Sequence, residues 1–139
     1  MSLKSQFATD RDKEVEGVAV EYAPNDDGTV PTFYITRMGR TNRAYTKALE
    51  TASRPYRRQL EMGLMKNEQA ERLSLEVFCG TVLRRWENVQ EDDGTPIAFN
   101  RANAIQLFTD LPDLYDDLQQ KAQAAATFKS EQQEQEAKN

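Results

Sequence analysis

The sequence contains no histidine. That single absence removes Ser-His and Cys-His nucleophilic pairs, and the usual zinc sites with them. There is one cysteine, Cys79, so no internal disulfide can form, and a reducing cytoplasm is the natural compartment. Cys79 lies between Phe78 and Gly80 at apolar helical spacing, and it reads as a small core residue rather than a nucleophile. Among only six glycines there is no Gly-rich phosphate loop, no GxGxxG and no Walker-type lysine. No apolar run approaches the ~20 residues of a membrane span. The opening stretch MSLKSQFATDRDKEVEG has no apolar h-region, so it does not read as a secretory signal.

What remains is a chain of 139 residues, 38% hydrophobic and 29% charged, which fits one domain with a modest core. Its net charge of −5 is unevenly spread. Residues 1–36 carry 3 basic and 7 acidic groups, residues 37–86 carry 11 and 5, and residues 87–139 carry 4 and 11. An acidic chain makes a poor nucleic-acid binder, because phosphate neutralisation needs surplus Lys and Arg. The basic middle has its own acidic flanks, or those of a second copy, as its nearest complement.

The patterning predicts a mainly α protein with a small N-terminal β-hairpin, an α+β class. Residues 1–13 read as a flexible arm. Residues 14–40 read as the hairpin: EVEGVAVEY over 14–22 alternates, with Val18, Val20 and Tyr22 on one face, and TFYITRM over 32–38 is its partner. Residues 41–128 read as a helical domain of about four helices. Tyr45, Leu49, Ala52, Tyr56 and Leu60 form the first stripe, as one helix kinked at Pro55 or two nearly in line. Asn67 opens a second helix through to Trp86, with Trp86 as a core plug at its end. Asn100 caps a third, carrying Ile105 and Phe108. Asp113 begins a fourth after Pro112, with Leu114, Leu118, Ala122, Ala125 and Phe128 as its stripe. Residues 129–139 form a polar tail, either a solvated helix extension or a disordered segment.

Carboxylates are the chemistry left to consider. Asn25-Asp26-Asp27-Gly28-Thr29 and Glu91-Asp92-Asp93-Gly94-Thr95 resemble each other, and an acidic pair in a loop raises calcium or magnesium. Neither stretch places a Glu at the closing position of an EF-type loop, and both fit turns, with Asp early and Gly supplying a positive φ. The second also leaves open a small hairpin with Asn88-Val89 and Ile97-Phe99 as arms. Asp113, Asp116 and Asp117 suit the first turns of a helix, where they complement its dipole. No metal, cofactor or catalytic residue is expected. The most pointed surface feature is Arg54-Pro55-Tyr56-Arg57-Arg58. Arg54, Tyr56, Arg57 and Arg58 suit a carboxylate-rich partner, against the plainer reading of a solvated helix face with local salt bridges.

Several stretches carry a family resemblance. They are Trp86-Glu87-Asn88-Val89, then Asp92-Asp93-Gly94, Pro96 and Phe99, then Asn100 and Ala104. Leu107-Phe108 with Leu111-Pro112-Asp113-Leu114, and Lys47-Ala48-Leu49 with Pro55-Tyr56-Arg57-Arg58, belong to the same pattern. In this order, over most of residues 10–139, the chain resembles the tail assembly chaperones of long non-contractile-tailed phages. The resemblance implies a binding protein, not an enzyme, in the host cell cytoplasm. Its implied partners are a tape measure protein, whose apolar helices it keeps soluble, and tail tube subunits, which it helps recruit. It also implies self-association and absence from the finished virion; from charge and hydropathy, no nucleic-acid or membrane partner is expected. The alternative is a structural tail protein, or a head-tail connector or completion protein, that stays in the particle.

The same resemblance implies a longer frameshifted form. Ala137-Lys138-Asn139 can be written GCA AAA AAC, which contains a slippery A AAA AAC heptamer in frame. The expectation is that a minority of ribosomes slip here. Reading the gene and looking for a longer product checks it; an AAG codon at Lys138 ends the idea at this position.

Overall fold

The computed structural model describes residues 2–129. The expected polar tail therefore lies outside the described residues from position 130 on.

The segment expected to be a loose arm holds two short helices. Helix α1 (Leu3–Phe7) is capped by the Ser2 hydroxyl, and α2 (Arg11–Glu16) by Asp10, whose carboxylate accepts from the Asp12 and Lys13 amides. Glu14 to Glu16 are thus helical, which corrects the strand expected from residue 14. Gly17 makes the switch at φ 101°, where its missing Cβ also matters: one would lie 3.1 Å from the Ile35 carbonyl oxygen. Helix α2 is tied down by backbone bonds, Asp10 N–H to Phe128 O at 2.7 Å and Arg37 N–H to Glu14 O at 3.1 Å.

Strands β1 (Val18–Glu21) and β2 (Thr32–Ile35) form the expected hairpin, with Val20 opposite Phe33. Helix α3 (Arg43–Ser53) starts at Asn42, whose side chain accepts from the Tyr45 amide. At Pro55 the chain tightens into a 3-10 turn (Arg54–Tyr56) and resumes as α4 (Arg57–Glu61), so the two-helix alternative holds. Helix α5 (Asn67–Thr81) then ends five residues before Trp86. Residues Leu83–Glu87 form β3, antiparallel to the free side of β2, giving a three-stranded sheet in the order β1-β2-β3.

This third strand corrects the expectation of helix through Trp86, and a bulge explains the misreading. Ile35 pairs with Leu83 and Tyr34 with Arg85, which leaves Arg84 without an opposite number. The extra residue resets the alternation, so Leu83 and Trp86 both face the core. Their spacing of three matches a helix by accident of the bulge. Pairing with β3 also satisfies the second edge of β2.

Asn100 caps α6 (Arg101–Asp110) as expected, accepting from the Asn103 amide at 2.8 Å. Pro112 opens α7 (Pro112–Gln123) at a position where its missing N–H costs nothing. The α7 helix stops at Gln123, and a 3-10 turn (Ala125–Phe128) carries Phe128 into full burial. The helices cover one face of the sheet. Between these layers Phe33 meets Tyr22 and Trp86 edge-on, at 5.8 and 5.9 Å between ring centres, and lies 6.2 Å from Phe108. Phe78 meets Phe108 and Tyr115 edge-on in turn. Trp86 is a core plug, as read, and its indole N–H donates to the Ile97 carbonyl at 2.8 Å.

The two similar stretches are one turn used twice. In each, the amide of the first residue donates to the carbonyl of the Thr, and the Gly amide donates back to the first residue's carbonyl. In each, the second Asp accepts from the Thr amide at 2.9 Å, and the Gly takes a positive φ, 86° at Gly28 and 89° at Gly94. The turns lie side by side, with Gln90 donating to Asp27 at 2.9 Å and Asn25 to the Asn88 carbonyl at 2.8 Å. The second turn does close a minimal hairpin, through a Gln90–Pro96 bridge. Thr29 and Gln90 hold the Asp27 carboxyl at about 2, below the usual range.

Burial also sets a pH dependence. It pushes the Cys79 thiol from 9.0 up to about 12, and the Tyr115 phenol from 10.0 up to about 12. A raised value in the folded state favours the neutral form. The associated stability is complete below the ordinary values and is lost as pH rises through the folded ones. Urea midpoints should be flat from neutral pH to 9.0 and fall toward pH 12, with Tyr115→Phe reducing the fall.

Candidate basic and apolar docking spur

Asn42 fixes the start of α3, and its half-buried residues Tyr45, Ala48, Leu49 and Ala52 face α5. This face follows the predicted stripe as far as Tyr56, which is half-buried. Beyond it the stripe fails. Leu60 was expected to continue toward the core, but it is 47% exposed. Pro55 cannot donate a helical hydrogen bond, and the chain tightens into a 3-10 turn at Arg54–Tyr56, which breaks the 3.6-residue spacing of the stripe before Leu60. Helix α4 packs mainly on the 3-10 turn before it rather than on the core.

The result is a spur between α3 and α5. Arg58 and Gln59 accept at their carbonyls from the Met62 and Leu64 amides, at 3.0 and 2.8 Å, and Gly63 turns at φ 67°. That closure presents Met62, 63% exposed, and Leu64, 65% exposed, beside Leu60. Three large apolar side chains thus share five residues of exposed chain. Single exposed apolar residues are ordinary, but a cluster is a binding-surface feature.

The predicted residues Arg54, Tyr56, Arg57 and Arg58 lie at the base of the same spur. Arg54 reaches Glu50 at 3.7 Å, with both side chains more than 60% exposed. Such a pair is worth at most about 0.5 kcal/mol and leaves the guanidinium available. Arg57 and Arg58 are exposed and have no carboxylate partner among the described residues. The structure therefore brings the four predicted residues together and adds Leu60, Met62 and Leu64, which the sequence reading missed. The signal was present in the alternation Leu60-x-Met62-x-Leu64 around Gly63, directly after the basic cluster.

Other candidates have structural roles. Cys79 is 4% exposed within the core. Asp117 accepts from the Tyr22 hydroxyl at 2.5 Å and is bonded to Lys121, which with Tyr22 holds its carboxyl low. Asp113 lies in the first turn of α7. No group of three or more Cys, Asp or Glu side chains suited to a metal occurs among the described residues. No helix among them is long and apolar enough to cross a membrane.

If the spur is a surface and not core, replacing Leu60, Met62 and Leu64 together by serine should change the unfolding free energy by less than about 1 kcal/mol. Phe108→Ala should cost roughly 3–5 kcal/mol. Urea unfolding checks both, and binding of the dye ANS should fall in the triple variant only.

A family model described as "YdaY prophage protein" matches residues 40–139, which include α3, the spur, β3, α6 and α7. No curated protein and no solved structure matches the chain.

Proposed function

The chain belongs to the YdaY prophage protein family, and from this premise we propose that it is a phage tail assembly chaperone. On this reading it binds the apolar helices of a tape measure protein in the host cytoplasm. It keeps them soluble, helps recruit tail tube subunits, and leaves before the particle is complete. It is a binding protein and not an enzyme.

The observation that carries the reading is the spur. An amphipathic partner helix has an apolar stripe and charged flanks. Leu60, Met62 and Leu64 offer the stripe an apolar counterpart, and Arg54, Arg57 and Arg58 offer acidic flanks a charged one. The methionine adds adaptability, which suits a client presenting many different helical segments. A small, open surface also suits release, since a few exposed side chains give a weak, reversible contact. The basic spur and the acidic ends of the chain support self-association by the same charge logic.

The test is co-expression with the tape measure protein of the same phage. The unaltered chain should raise the soluble fraction of that partner several-fold. The triple serine variant at Leu60, Met62 and Leu64 should lose most of the gain, and Arg57→Glu with Arg58→Glu should lose it in a salt-dependent way. Equal rescue by all variants removes the spur from the mechanism. Mass spectrometry of purified particles separates the alternative, a retained structural protein: abundant peptides from this chain would favour that reading.

A further inference from the structure

The two ends of the sheet carry opposite charge. Glu21, Thr32 and Glu87 are paired across one end, and Val18, Ile35 and Leu83 across the other. At the first end, the β1–β2 turn and the turn after β3 lie side by side, tied by the Gln90–Asp27 and Asn25–Asn88 bonds. These turns present Asp26, Asp27, Glu91, Asp92 and Asp93, all exposed. No Lys or Arg lies within ion-pair distance of them among the described residues. Nor do they converge on a metal position there. Bonds from Thr29 and Gln90 hold the Asp27 carboxyl low, and bonds from Thr95 do the same for Asp93, so this end keeps its charge well below neutral pH.

At the other end, beyond Ile35 and beside Leu83, a cleft of about 660 Å³ is lined by Arg11, Arg37, Arg40, Arg43 and Arg84, with Glu14 as its one acidic side chain. Glu14 is already engaged: it pairs with Arg37 at 3.3 Å and accepts from Thr41 at 3.2 Å. Arg11, Arg40, Arg43 and Arg84 are exposed and have no carboxylate partner among the described residues. Crowded guanidiniums repel one another, and so do crowded carboxylates, so joining the two clusters relieves both. Each guanidinium is also a fork of donors matched to a carboxylate. The paired strands hold the two ends apart, so one molecule cannot bring its own clusters together. A second copy of the chain can, with exposed turns on one side of the contact and a recess on the other.

We propose that the arginine cleft of one copy receives the two acidic turns of the next, so that copies join head to tail along the sheet. The two surfaces differ, so the contact is heterologous: repeated, it closes into a ring or continues as a filament. It uses neither Arg57 and Arg58 nor the apolar residues of the spur, and it does not depend on the tape measure reading. Being built from exposed charges, it is reversible and weakens as salt rises.

Sedimentation velocity of charge-reversed chains tests this. One variant carries Arg40→Glu with Arg43→Glu in the cleft, the other Asp26→Lys with Asp92→Lys on the turns. All four positions are exposed, so urea midpoints should stay near that of the unaltered chain. At low salt and up to millimolar concentration, the unaltered chain should form species larger than a dimer that revert to monomer in high salt. Each variant alone should be monomeric. Mixed, the two should form a one-to-one pair and nothing larger, because the intact turns of one meet the intact cleft of the other. A chain carrying all four reversals should assemble again. An unaltered chain that stays monomeric, or a mixture that does, would overturn the proposal. So would assemblies that survive both pairs of reversals but dissolve when Leu60, Met62 and Leu64 become serine, since self-association would then run through the spur. A cleft reversal that abolishes binding of a single-stranded oligonucleotide and leaves the mass unchanged would also overturn it, by making the cleft a phosphate site.

Discussion

The contact of Phe33 with Trp86 joins two parts of the chain that are distant in sequence, and the other layers are arranged around it. Phe33 sits on the central strand, opposite Val20 on one side and Trp86 on the other. Its ring also reaches Tyr22 and Phe108, so strand, hairpin exit and helix meet at one side chain. The family match begins at residue 40, after both strands of the first hairpin. Yet Val20, Phe33 and Ile35 from that hairpin are buried against Trp86, Phe108 and Leu118 from the matched stretch. The core that the matched residues share is therefore completed by residues that precede them.

Much of this was legible in the sequence, and the misses have physical causes. Asn100 announced the start of α6 because a cap is a local effect, decided within one turn. The first hairpin was legible from alternation alone. The β3 strand was not, because a bulge at Arg84 gave Leu83 and Trp86 a helical spacing and because its partner lies far away in sequence. Helix α2 was missed for a different reason: six residues of mostly charged chain are helical only through the Asp10 cap, the Gly17 exit and the bond to Phe128.

The candidate site was half legible. The cluster of Arg54, Arg57 and Arg58 was visible as charge. Leu60 was read as continuing the stripe, and the 3-10 turn at Pro55 breaks that spacing and leaves it exposed. The arginine cleft was not visible at all, since Arg11, the pair Arg40 and Arg43, and Arg84 come from three segments and only the fold gathers them. Charge segregation along the chain, net basic in the middle and net acidic at both ends, is thus resolved into two distinct basic surfaces.

The order of strands has a consequence for biosynthesis. The central strand is made early, and its second neighbour, Leu83–Glu87, is made only after three intervening helices. At translation rates of roughly 5–20 residues per second, the nascent hairpin waits for seconds with one backbone edge bare. A lone two-stranded hairpin is marginal in water, so the N-terminal third cannot settle by itself on the ribosome. Leu118 and Phe128, both fully buried, arrive later still. Folding of this domain is therefore a late, largely all-at-once event, and a ribosome stalled before Trp86 would hold an open strand edge exposed to neighbouring chains.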